Sequence, residues 1–218
     1  MRSIINPIFV ELAGLPASGK TTTASLLNER LSEWNLCCTV VPEAAARSPL
    51  SHLKRNWQFN AWTLCQTVGS VLECNSTREH DVIVLDRGLI DALCWIEWFR
   101  SKNEIDVATA SALESFARVP TWFQQLKVIV VLRVKFETAL RRRGVAGRIV
   151  NPQTFEELRR AYKSTVDELE RSNQATDIHV LDTDNLSPVQ VLEEVTTLLA
   201  EHLPELGASA KSSFWPRR

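Results

Sequence analysis

The run Gly14-Leu15-Pro16-Ala17-Ser18-Gly19-Lys20-Thr21 narrows the folds open to this chain more than any other feature, because it fits G-x-x-x-x-G-K-[ST] at every fixed position. An apolar stretch, Ile8 to Ala13, leads into it, and a helical pattern from Lys20 to Trp34 follows. Each fixed position has a physical reason. The glycines let the loop curl so that successive backbone N–H groups converge on phosphate oxygens, and the helix behind adds the positive end of its dipole. Lys20 is suited to neutralise the outer phosphates of a nucleotide and is expected to face solvent in the empty loop. The Thr21 hydroxyl is suited to coordinate Mg²⁺. The pattern therefore predicts ATP and Mg²⁺ as cofactors, held by Gly14, Leu15, Pro16, Ala17, Ser18, Gly19, Lys20, Thr21 and Thr22. By chance the four fixed positions coincide in roughly one chain of this length in a hundred. The strand before the loop and the helix after it lower that figure.

Composition agrees with one folded domain. At 218 residues the chain can bury a sizeable core, and 44% hydrophobic with 23% charged residues excludes a disordered or fibrous protein. A net charge of -1 supplies no global field toward nucleic acid or an anionic membrane, so neither is expected as a partner. The five cysteines (Cys37, Cys38, Cys65, Cys74 and Cys94) show no C-x-x-C spacing, which predicts free thiols in a reducing compartment. Glu11 interrupts the apolar N-terminal run, and no stretch of about 18 apolar residues occurs. These features predict a cytoplasmic protein, and a homodimer is compatible with them.

Further strands are predicted at Cys37 to Val41, Asp81 to Leu85, Lys127 to Val134 and Ile178 to Leu181. Helices are predicted over Leu53 to Glu73, Leu89 to Arg100, Glu104 to Ala117, Thr154 to Arg171 and Val189 to His202. Strands that alternate with helices and lack in/out alternation predict an α/β fold, a parallel sheet covered on both faces. The domain is expected to occupy residues 1–203, with residues 204–218 as a disordered tail that carries Phe214 and Trp215.

In such sheets ligands bind beyond the carboxyl ends of the strands, which directs attention to three segments. Asp86 and Arg87 follow the third strand: Asp86 is suited to hold magnesium, or alternatively to cap the next helix, and Arg87 to contact the phosphoryl group or its acceptor. Glu43 follows the second strand, where it can take a proton from an attacking hydroxyl, and Arg47 is suited to a phosphate or to pairing with Glu43. Both can equally be solvated loop residues. If Leu53, Trp57, Ala61, Leu64 and Val68 face the core, then Arg55, Phe59, Trp62 and Gln66 share the opposite face, for an acceptor ring or for a neighbouring helix. Asp91, Trp95 and Trp98 form a stripe that reads more readily as core. Arg141, Arg142, Arg143 and Arg148 surround Gly144 and Gly147 and suggest a lid over the phosphates, about 140–152, with Arg143 and Arg148 as catalytic candidates. A solvated helix end is the plainer reading of that segment.

Taken in order, GLPASGKT, Pro42-Glu43, Asp86-Arg87 and RRRGVAGR resemble the nucleoside and nucleotide kinase group of P-loop proteins. The likeness is greatest to deoxynucleoside and thymidylate kinases and to ribosylnicotinamide-kinase-like ATP-binding domains; VPEAAAR and LDRGLIDAL look most like the last. The resemblance implies a P-loop three-layer sandwich with strand order 2-3-1-4-5. It also implies a small-molecule acceptor, Glu43 as general base, Asp86-Arg87 in place of a Glu-Arg pair, and Gln66 as a base-reading amide. The chain departs from these kinases at Gly88 and Ala44, which leaves the acceptor open. A nucleoside hydroxyl, a nucleoside monophosphate, and a non-nucleotide metabolite or antibiotic are the alternatives, with a regulatory ATPase switch as another class. No Asn-Lys-x-Asp motif of a GTPase is present.

Overall fold

The computed structural model describes residues 7–77, 79–143, 151–172 and 177–203. The elements run β1 (Ile8–Gly14), α1 (Lys20–Glu33), β2 (Cys38–Val41), α2 (Trp57–Thr77), β3 (Val82–Asp86), α3 (Leu89–Ser101), α4 (Val107–Ala117), α5 (Pro120–Phe123), β4 (Leu126–Arg133), α6 (Phe136–Arg143), α7 (Pro152–Arg171), β5 (Asp177–Asp182) and α8 (Pro188–Ala200). Short 3-10 turns occupy Ala44–Arg47 and Ser51–Leu53.

All strand pairs are parallel, in the order β2-β3-β1-β4-β5. Side chains alternate across each strand, so both faces of the central strands must be apolar once helices cover both. Phe9, Ala13, Ile83, Leu85, Ile129 and Val131 pack beneath α2, α3, α4 and α7. Val10, Leu12, Val82, Val84, Val128 and Val130 pack against α1 and α8. The result is a three-layer sandwich whose β1 and β3 end side by side, with Leu12 in register with Asp86. That register brings the glycine loop and the third strand end together.

Local chemistry sets the helix boundaries. Asn151 accepts a hydrogen bond from the Thr154 N–H ahead of α7, with Pro152 in the first turn. Ser187 and Gln190 form a reciprocal cap at the start of α8. The expected stripe of α7 is buried: Phe155, Leu158, Tyr162, Val166 and Leu169.

Two expectations shift. α2 begins at Trp57, because the chain first turns through the 3-10 segment that holds Leu53. Its buried face therefore includes Asn60 and Thr67 beside Leu64, Val68 and Val71, while Leu72 is exposed. The arginine-rich stretch contains a helix of its own, α6, which ends at Arg143. Gly144 through Val150, including Arg148, lie outside the described residues, as does the tail 204–218. Among the described residues all five thiols are free, and no helix is long and apolar enough to cross a membrane.

Candidate active site

The loop between β1 and α1 depends on backbone shapes that its glycines supply. Gly14 has φ 138°, and a Cβ there would lie 2.1 Å from the Leu132 carbonyl oxygen, so only glycine lets β1 approach β4 so closely. Gly19 has φ 106° at the head of α1, whose first turn no side chain caps. Uncapped N–H groups behind a curled loop are the donors an anion requires.

Lys20 does not face solvent. It is 5% exposed, and its Nζ donates to the main-chain oxygens of Gly14 and Leu15, both at 2.8 Å, and to Ser18 Oγ at 3.4 Å. The expectation failed because the curled loop turns its own carbonyls inward, where they solvate the ammonium. Burial, and then the nearby Arg87 charge, lower the Lys20 pKa to about 7.

Asp86 accepts a hydrogen bond from Thr21 Oγ1 at 2.6 Å through Oδ2. Its Oδ1 is buried with no hydrogen-bond partner. Burial raises its pKa, against the Thr21 hydrogen bond and the Lys20 charge. The capping alternative is excluded, since Gly88, not Asp86, stands at the cap position before α3, and the leading N–H groups of the helix donate to another carboxylate. They meet Glu11: the Ile90 and Asp91 N–H groups donate to its carboxylate at 3.0 and 2.8 Å. A hydroxyl beside a carboxylate with one unpaired buried oxygen suits a hard divalent cation, so these residues fit Mg²⁺.

Glu11 is fully buried, and burial raises its pKa from 4.5 to about 7, although the two N–H donors oppose the shift. Between those values the folded chain keeps a proton that the unfolded chain has released. The Glu11 contribution to stability therefore falls as pH rises from about 4.5 through 7 and then levels, an effect of up to about 3 kcal/mol. Glu11→Gln is expected to flatten that decline in urea titrations at pH 5 and pH 8. Equal declines in variant and wild type would remove Glu11 as its source.

Arg87 adopts φ 69°, a strained conformation for a residue with a Cβ, and its N–H donates to the Leu12 carbonyl at 3.1 Å. Its Nη1 donates to both Asp91 carboxylate oxygens, at 3.1 and 2.8 Å. Its Nε lies 2.9 Å from Glu43 Oε1, an ion pair whose angle is too bent for a hydrogen bond. Burial would lower the Arg87 pKa, but Asp91 and then Glu43 hold it well above its ordinary value. Asp91 also accepts from the Gly14 N–H at 3.3 Å and from Tyr162 Oη at 2.5 Å. Asp91 thus clamps Arg87 to the phosphate loop and to α7. The sequence placed it in a core stripe. Its spacing of i, i+4 from Arg87 is the signal that could have paired the two.

Two clefts meet at this wall. One is lined by Ala17 to Thr23 and Arg142 and is closed by Leu186, Pro188 and Val191. The other is lined by Phe59, Asn60, Thr63, Thr67, Trp95 and Phe99. Glu43 and Arg87 line both. Of the predicted acceptor residues, Phe59 lies on the second cleft. Trp62 is half-buried, Gln66 and Arg47 are exposed, and none of the three lines either cleft. Among the described residues of the arginine stretch, Arg142 is brought to the loop: it donates to Thr183 Oγ1 at 2.9 Å and to the Thr183 carbonyl, and reaches the Ala17 carbonyl at 3.4 Å.

No protein-family model matches the chain, and no curated protein does. Solved structures do match. Deoxyadenosine kinase from M. mycoides with bound dATP superposes with a TM-score of 0.68 at 15% identity. The same enzyme with products dCMP and a flexible dCDP gives 0.66 at 16%, and with bound dCTP 0.65 at 15%. Each match covers 88% of this chain and 99% of the other. The fold is that of a P-loop kinase. Within that fold, the phosphate loop, the Thr21–Asp86 pair and the Glu43–Arg87–Asp91 cluster occupy one edge of the sheet, beyond the carboxyl ends of β1, β2 and β3.

Proposed function

We propose that the protein is an ATP- and Mg²⁺-dependent kinase that transfers the γ-phosphoryl group to a hydroxyl of a nucleoside or nucleoside-like small molecule. One observation carries this reading: Glu43 and Arg87 form a wall shared by a phosphate-loop cleft and a separate aromatic cleft. A nucleotide switch has no use for the second cleft, whereas a transferase needs donor and acceptor on either side of one reacting centre. The kinship in fold with an enzyme solved with dATP and with dCMP supports the same class by analogy.

On this reading the loop N–H groups and Lys20 bind the phosphates, with Lys20 exchanging its carbonyl partners for phosphate oxygens. Thr21 and Asp86 would hold Mg²⁺, which when bound offsets phosphate charge. Glu43 orients the acceptor hydroxyl and takes its proton as the oxygen bonds to the γ-phosphorus. The bond from that phosphorus to the bridging oxygen breaks, and ADP leaves. Arg87 stabilises the charge spread over the transferring group, held in aim by Asp91 and Tyr162.

The test is transfer of label from γ-labelled ATP across a panel of ribo- and 2′-deoxynucleosides. Label is expected on an acceptor hydroxyl. Hydrolysis of ATP indifferent to every acceptor would point to a switch ATPase instead. Asp86→Asn is expected to raise the magnesium concentration for half-maximal rate by roughly ten- to a hundredfold. An unchanged magnesium titration would remove Asp86 from the metal site.

A further inference from the structure

The first turn of α3 is capped from outside the helix. Gly88 stands at the cap position and has no side chain to offer. A cap residue ordinarily accepts from the second or third N–H of its helix, which here belong to Ile90 and Asp91. Both are taken by Glu11 of β1, a fully buried residue, at 3.0 and 2.8 Å. Glu11 also accounts for the glycine. A Cβ at position 88 would lie 2.5 Å from Glu11 Oε2 and 2.6 Å from its Cδ, so the carboxylate fills the space that a capping side chain needs. A carboxylate in the middle of a covered strand is costly to bury and is retained through its partners rather than its packing.

The same corner carries charged groups of the site. Arg87 precedes Gly88 with φ 69°, and its N–H is held by the Leu12 carbonyl at 3.1 Å. Asp91 closes the turn. Its N–H goes to Glu11, while its carboxylate takes Arg87 Nη1 and, at 3.3 Å, the Gly14 N–H. β1 therefore grips the corner through Glu11, Leu12 and Gly14 in succession. Glu11 itself lines neither cleft. Its route to the chemistry is the direction that it imposes on Asp91.

We propose that Glu11 is a positioning residue for phosphoryl transfer: it supplies the cap of α3 from β1 and so holds Asp91 and Arg87 in aim at the phosphate loop. The proposal rests on the kinase reading above and adds to it a residue that touches no substrate. A carboxylate suits the task because its two oxygens accept both N–H groups at once, as charge-assisted bonds. A displacement of about 1 Å in such a turn is enough to lower a rate by roughly a hundredfold.

Glu11→Gln keeps the side-chain volume but turns an amide NH₂ group toward one of the two N–H donors. It is expected to lower kcat by roughly ten- to a hundredfold with the KM for ATP nearly unchanged. Asp106→Ala, which removes the cap of α4, is the control, and should lower the melting temperature without changing kcat. A wild-type kcat in Glu11→Gln, or a fall that Asp106→Ala matches, overturns the proposal. A double-mutant cycle is the sharper test. Gly88→Ser alone should damage the rate, since its Cβ meets the carboxylate, and Glu11→Ala alone should damage it by loss of the cap. Combined, they should recover at least about tenfold over either alone, because the new hydroxyl caps α3 in the space that the carboxylate leaves. Losses that simply add, or a double variant that does not fold, overturn the proposal, and the cycle decides if Glu11→Gln itself does not fold. The Arg87 Nε–H resonance separates this proposal from the kinase reading. It is expected at a distinct shift in wild type, collapsed in Glu11→Gln and recovered in the double variant. That pattern without transfer to any acceptor overturns the kinase reading alone, and an Arg87 signal indifferent to position 11 overturns the positioning role alone.

Discussion

Lys20→Ala is expected to abolish phosphoryl transfer, lowering the rate by about a thousandfold or more, equivalent to roughly 4 kcal/mol of transition-state stabilisation. The Lys20 ammonium is the cation at the base of the phosphate loop, 5% exposed and held by carbonyl and hydroxyl oxygens of the loop itself. In a water-poor site its charge acts on the phosphates with little screening, which makes its loss severe. The fold should survive. Burial already lowers the lysine pKa from 10.5 to about 7, so the folded state disfavours the charged form, and removing it relieves that cost while three hydrogen bonds are lost. A melting temperature close to wild type is therefore expected, and Lys20→Met, which keeps the side-chain stem, should match alanine in activity. Turnover within about tenfold of wild type, a loss of only ~1.4 kcal/mol, would sink the phosphate-loop assignment.

Glu43→Gln is expected to lower the rate on an unphosphorylated acceptor by roughly 10²–10⁴ while leaving nucleotide binding in place. A hydroxyl must lose a proton as it attacks, whereas the oxygen of a monophosphate is already ionised and is repelled by a carboxylate. The structure puts Glu43 on the wall between the two clefts, 2.9 Å from Arg87 Nε. Arg47, the residue suited to an acceptor phosphate, is exposed and lines neither cleft, so Arg47→Ala should change the rate little. Nucleosides assayed beside their 5′-monophosphates, for wild type and both variants, discriminate the alternatives. Strong activity on a monophosphate, with Arg47→Ala severe and Glu43→Gln nearly silent, would make this a nucleotide kinase.

Part of the site was legible because its signals are short-range. The phosphate loop is contiguous, and its glycines are required by local backbone shape at Gly14 and Gly19. Asp86 and Arg87 stand at the end of an apolar run, and apolar strands without alternation indicate a sheet covered twice. The strand order came from resemblance to kinases, and the structure has the same order.

Other parts depend on contacts that no local window contains. Glu11 read as an interruption in an apolar strand, yet it caps a helix 80 residues away, because parallel pairing of β1 with β3 sets its carboxylate under the first turn of α3. Asp91 read as a core position, and its bond to the Gly14 N–H spans 77 residues. The face of α2 that lines the cleft differs from the one the Leu53 periodicity predicts: a 3-10 turn precedes Trp57, and Asn60 and Thr67, not Gln66, line the cleft. The inward turn of Lys20 follows from loop closure rather than residue type. The sequence by itself determined the glycine loop, the α/β class and the strand ends around which the candidate site is built, since these are written in contiguous residues and in periodicity. Strand register, helix start and loop closure decided which carboxylate caps, which clamps and which side chains of α2 line the aromatic cleft, because each is a property of segments that meet only in the folded chain.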